Sequence, residues 1–92
     1  MKIQLKYFAQ IKKETGKSSE ELEFENGVTL QDCIKSISNK YSNSLNKMLF
    51  DESGAYRDTV VLVINNIQTR YSENPKMNDN DEILLMSPIA GG

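Results

Sequence analysis

No histidine occurs anywhere in the 92 residues, and cysteine occurs once, at Cys33. Without histidine the chain lacks the usual general base, the usual metal ligand and any Ser-His or Cys-His nucleophile pairing. Glycine-rich phosphate loops and CxxC spacings are missing too, so self-contained catalysis is not expected, nor is a bound cofactor or metal. A lone cysteine closes no disulfide within the chain, which agrees with a reducing compartment, and the chain reads as cytoplasmic. The longest apolar run, Val60 to Ile64, is far short of a membrane span, and the N-terminus alternates instead of reading as a signal peptide. Eleven basic residues are scattered among 13 acidic ones for a formal charge of −2, leaving no electrostatic footprint for a phosphate backbone. Neither nucleic acid nor membrane is an expected partner. Low-complexity segments and internal repeats are also absent.

What remains is ordinary for one small globular domain: 38% apolar and 26% charged residues, enough for a single core. "KIQLKYF" alternates, with Ile3, Leu5 and Tyr7 on one face and Phe8 sharing the polar face. "IKKETGKSS" reads as a turn centred on Gly16, and "ELEFE" alternates again with Leu22 and Phe24 inward, so the two runs form a hairpin. From "GVTLQDCIKSISNKY" the period becomes helical through Leu30, Ile34, Ile37 and Tyr41, with Thr29 and Asp32 as a weak capping box. "SNSLNKMLF" reads as a short second helix presenting Leu45, Met48 and Leu49, and "DESGAYRD" as a surface loop. "TVVLVINN" reads as a central, two-sided strand, Asn65-Asn66 as a tight turn into "IQTRY", and "EILLMS" as the last strand. The whole is an α+β fold, a mixed sheet covered by one main helix.

Four features carry the functional question. The end, "MSPIAGG", places two residues without Cβ at Gly91 and Gly92, a ribbon narrow enough for a tight channel and with only a carboxylate to react. A carboxylate is a poor acyl donor, so chemistry on it begins with activation, most simply as an acyl-adenylate. The alternative is a frayed terminus, but Pro88 stops the strand ladder and stiffens the exit of the tail. Phe8, Met86 and Leu84 face away from the proposed core, and with Ile89 on the tail they form one patch if the first and last strands are neighbours. Otherwise the "SLNKMLF" helix covers them. Cys33, beside the helical core stripe, reads as an inert thiol. The acidic runs "EELEFE" and "NDNDE" read as solvated faces.

The sequence resembles the β-grasp, ubiquitin-like sulfur-carrier proteins, most closely the small subunits of molybdopterin synthases. The resemblance runs through "YFAQIKKETG", "VTLQDCIKSI", "VLVINN" and "NDNDEILLMSPIAGG", nearly end to end. It implies a single β-grasp sulfur-carrier domain over residues 1–92, with 87–92 as a flexible, extended C-terminal tail. It further implies that an E1-like adenylyltransferase uses ATP to adenylate Gly92 and that a sulfur donor enzyme displaces AMP to leave a thiocarboxylate. In that family the tail enters the large synthase subunit and hands sulfur to a pterin precursor in molybdenum cofactor biosynthesis. Such a chain is not catalytic alone; it is the sulfur-donating subunit. Under this mapping Gly92 bears the sulfur, Pro88, Ile89, Ala90 and Gly91 lead to it, and Phe8 and Met86 fall on the hydrophobic partner contact. Two features depart from the family: Asn80 stands where a glycine is frequent, and "YSNSLNKMLFDESGAYRD" is long. A ubiquitin-like modifier joined to lysines, a carrier for another sulfur-transfer pathway, or a plain interaction module remain the alternatives.

Overall fold

The computed structural model describes residues 1–41 and 43–87. Strand β1 (Lys2–Phe8) alternates as its sequence predicts, burying Ile3, Leu5 and Tyr7. It runs directly into helix α1 (Ala9–Thr15), which replaces the expected turn: Ile11 and Thr15, one helical turn apart, are buried. Gly16 ends this helix at φ 74°, in the left-handed region where glycine carries no Cβ penalty, and its N–H donates to Lys12 O. The chain therefore returns through a helical link, yet the expected pairing stands, because strand β2 (Ser19–Glu23) lies antiparallel to β1. Beyond β2 the ladder continues between Met1 and Phe24, whose backbones exchange hydrogen bonds of 2.7 and 2.8 Å.

Helix α2 (Leu30–Lys40) starts at Thr29, whose hydroxyl accepts from the Asp32 N–H at 3.3 Å while the Asp32 carboxylate accepts from the Thr29 N–H at 3.1 Å. That reciprocal box satisfies two of the helix's orphan donors. Its buried stripe is Leu30, Cys33, Ile34 and Ile37. Helix α3 (Asn43–Leu49) buries Leu45 and Leu49 and packs against α1 and α2, so it completes the core layer instead of covering the other side of the sheet.

Strands β3 (Val61–Ile64) and β4 (Ile67–Thr69) form a hairpin around Asn65 and Asn66, with φ of 49° and 69°. Two successive positive φ values suit the twist of a two-residue hairpin, and asparagine is among the few residues that tolerate them. After a 3-10 turn (Tyr71–Glu73), strand β5 (Glu82–Ser87) closes the sheet in the order β2-β1-β5-β3-β4. β5, parallel to β1 and antiparallel to β3, is the central strand. β3 is interior as expected but covered on one face only: Leu62 is buried while Val61 and Val63 are half-exposed.

Candidate functional site

The face of the sheet turned away from the helices carries the site. β1 and β5 are neighbours, so the condition for a single patch is met. Phe8 lies beside Met86, and Met86 lies opposite Val61, giving one apolar row across three strands. Directly paired residues on a pleated sheet point the same way, so these side chains share a face. The next row runs Lys6, Leu84, Val63, Gln68. Further along β5, Glu82 forms an ion pair with Lys6 at 3.2 Å, and the surface turns charged.

Phe8 and Met86 are 42% and 40% exposed, and Leu84 is half-buried; among the described residues no helix covers them. Removing a large apolar side chain fully from water contributes roughly 1.5–3 kcal/mol, and these half-exposed ones a fraction of that each. Several together suit a surface that binds and releases. Val61 and Val63 belong to the same face and were not singled out from sequence. The signal was present in "VVLVI", where Leu62 and Ile64 alternate with them, but a continuous apolar run hides its own periodicity. Ile67, 69% exposed just past the hairpin turn, was likewise not anticipated.

The apolar row lies at the end of β5 from which the chain continues. Ser87, the last residue of β5, bridges to Ala9, and Ala9 adopts φ 53°, a left-handed conformation unfavourable for a residue with a Cβ. The Ser87 hydroxyl is buried without a hydrogen-bond partner among the described residues. Pro88, Ile89, Ala90, Gly91 and Gly92 lie outside the described residues. Gly92 is the fifth residue after Ser87, and five residues span at most about 17 Å when extended.

Away from this face, Glu20 organises the opposite edge. It accepts from the hydroxyls of Tyr7 and Tyr41 at 2.6 and 2.5 Å and from Lys40 Nζ at 2.6 Å. Burial alone would raise its carboxyl, but the bonds from Lys40, Tyr41 and Tyr7 outweigh burial and hold it down at about 2. Cys33 is fully buried, and burial, with Asp32 nearby, pushes its thiol up to about 12, so the thiolate is scarcely populated at neutral pH. Asn80 sits at φ 67°, which explains why asparagine serves where glycine is frequent. Among the described residues no group of three or more Cys, Asp or Glu side chains is placed to hold a metal ion, and no helix is long and apolar enough to cross a membrane.

Residues 5–92 match the ThiS family model. The fold superimposes on small archaeal modifier protein 1 of Haloferax volcanii with a TM-score of 0.87, covering 100% of both chains at 18% identity. At 25% identity it resembles small archaeal modifier protein 1 of Methanosarcina acetivorans, with a TM-score of 0.76 over 99% of this chain and 96% of that one. Also at 25% identity is a putative molybdopterin converting factor, subunit 1, of Pyrococcus furiosus, with a TM-score of 0.73 over 97% of this chain and 99% of that one. A search of the curated proteins finds no match.

Proposed function

The chain belongs to the ThiS family of β-grasp sulfur carriers, and from that premise we propose that it carries sulfur as a thiocarboxylate on Gly92 for molybdopterin synthesis. The carrying observation is the apolar row Phe8–Met86–Val61 at the strand end that leads into residues 88–92. A protein seated on that row stands within a tail's length of the terminal carboxylate. In the first step, a carboxylate oxygen of Gly92 attacks the α-phosphorus of ATP on an E1-like enzyme, pyrophosphate leaves, and the acyl-adenylate forms. Sulfur delivered at the sulfide level by a donor enzyme then attacks the acyl carbon, the bond to the adenylate oxygen breaks, AMP leaves, and the terminus is left as a thiocarboxylate. No base from this chain is needed, because both activation and sulfur supply belong to partners. The thiocarboxylate is then presented to the large synthase subunit, where sulfur passes to the pterin precursor. Pro88, Ile89, Ala90 and Gly91 serve as the thin lead into each partner's channel.

Intact-mass analysis after incubation with the host's E1-like enzyme, ATP and a sulfur donor tests this. The expected result is a mass gain matching one terminal oxygen replaced by sulfur, abolished by deleting Gly92 with the thermal midpoint unchanged. Neither adenylate nor thiocarboxylate, with an enzyme shown active on another carrier, would overturn it. The likeness to small archaeal modifier protein 1 favours a second reading, in which the same adenylate ends as an isopeptide on target lysines. Lysine adducts carrying the C-terminal peptide of this chain, found in host cell digests, would establish that fate.

A further inference from the structure

The outer face does not end at β3. Val61 and Gln68, members of those two rows, also line a groove of about 660 Å³ at the β3–β4 end of the sheet, together with Leu62 and Thr69 from the core side, Tyr56 and Tyr71, and the exposed Arg70 and Asp58 at its rim. The two tyrosine rings stack at 4.4 Å with an interplanar angle of 1°, and Phe50 meets both edge-on at 5.9 and 5.8 Å. The three rings thus pack as one aromatic cluster, and a volume of this size accepts several side chains of an incoming segment. β4 runs parallel to β5, so Arg70 stands at the same end of the sheet as Ser87.

Neither Arg70 nor Asp58 forms an ion pair among the described residues. Two opposite charges therefore share one rim without neutralising each other. At Arg70, just past β4, backbone pairing with an incoming strand is blocked, because the Arg70 N–H already donates to Glu73 Oε2 at 2.6 Å and the Arg70 carbonyl accepts from the Glu73 N–H at 3.1 Å. An occupant is recognised here by side chains, not by backbone pairing.

We propose that this groove is a second docking subsite for the adenylating enzyme, taking an extended segment that presents a carboxylate to Arg70 and a cationic side chain to Asp58. The proposal rests on the reading that the Phe8–Met86 face docks that enzyme. Continuity selects the occupant, since Val61 both pairs with Met86 and lines the groove, so a protein that covers the two touches the groove's lining. Charge sets the chemistry of the segment, because the rim rewards one anion and one cation at separate positions and repels their exchange. A contact at β4, two strands from the tail root, fixes the rotation of the carrier about its tail, which the apolar row alone leaves loose.

The test is the KM for the full-length carrier in ATP–pyrophosphate exchange by the host's E1-like enzyme, with Met86→Glu assayed in parallel. Arg70→Glu and Asp58→Lys are each expected to raise KM roughly tenfold with kcat unchanged, and Arg70→Lys to stay near wild type. A KM within about twofold of wild type for both Arg70→Glu and Asp58→Lys, while Met86→Glu raises it, overturns the groove and leaves the apolar face standing. If Met86→Glu also leaves KM unchanged, the underlying docking face fails, and the groove proposal with it.

Discussion

Glu20 is the residue on which local charge and packing meet. Its carboxylate joins β2 to β1 through Tyr7 and to α2 through Lys40 and Tyr41, and only 8% of its side chain is exposed. Replacing it by alanine leaves the phenol of fully buried Tyr7 without that acceptor, an effect of about 2–3 kcal/mol by urea unfolding. The pH dependence has a definite sign. Because the carboxyl titrates at about 2 in the folded chain against 4.5 ordinarily, its contribution is fully present above about 4.5 and is lost as pH falls through about 2. Urea midpoints measured between neutral pH and pH 2 should fall in wild type and fall less in Glu20→Ala; an equally steep fall in both would assign the acid sensitivity elsewhere. Sequence placed Glu20 in a run of solvated acids. Its one near partner, Lys17 at 3.4 Å, is an exposed lysine of the kind that flanks any acidic run, and the partners that set Glu20 apart from Glu21 and Glu23 lie 13 to 21 residues away.

At the scale of elements, caps and turns were legible where side chains act on their own backbone. Thr29 and Asp32 form the box that their spacing suggests, and Thr29→Ala should lower stability by about 1 kcal/mol with α2 still formed, read by thermal unfolding and far-UV circular dichroism. The Asn65-Asn66 turn adopts the backbone that asparagine tolerates, and Asn65 is held further by bonds to Asp81 and from the Glu82 N–H at 2.8 and 2.9 Å. α1 was not legible. Its seven residues are too few for a helical stripe to declare itself, and Gly16 reads equally well as the middle of a turn or the end of a helix. What decides is the core, which takes Ile11 and Thr15 from one side of the segment.

Over the whole molecule, the sheet is held by the pairing of the first strand with the last. β5 is hydrogen-bonded on both sides and contributes Ile83 and Leu85, both fully buried. A chain ending at Asp81 should therefore show no cooperative thermal transition, in contrast to the chain lacking only Gly92; a cooperative transition in the shorter chain would mean that β1, β2 and the helices fold by themselves. The same pairing creates the functional surface, because Phe8 and Met86 are separated by 78 positions in sequence and become neighbours only through the parallel ladder. The groove beyond Val61 depends on the further step of folding the segment after β4 back so that Tyr71 stacks on Tyr56.

Sequence alone determined the alternation of β1 and β5, the stripe and cap of α2, the asparagine turn, the missing histidines and the run from "EILLMS" to "GG". Each is a matter of residue type and short spacing, which backbone geometry converts directly into structure. The outward direction of Phe8 and Met86 was legible for the same reason, since a strand has a period of two. Tertiary structure decided that α3 packs on the helix side, leaving that pair uncovered, and that Val61 joins it. It also drew Glu20 out of its acidic run and set Arg70 and Asp58 on one rim. These follow from which surfaces the core must bury, and burial is a property of the whole chain, not of any short stretch of it.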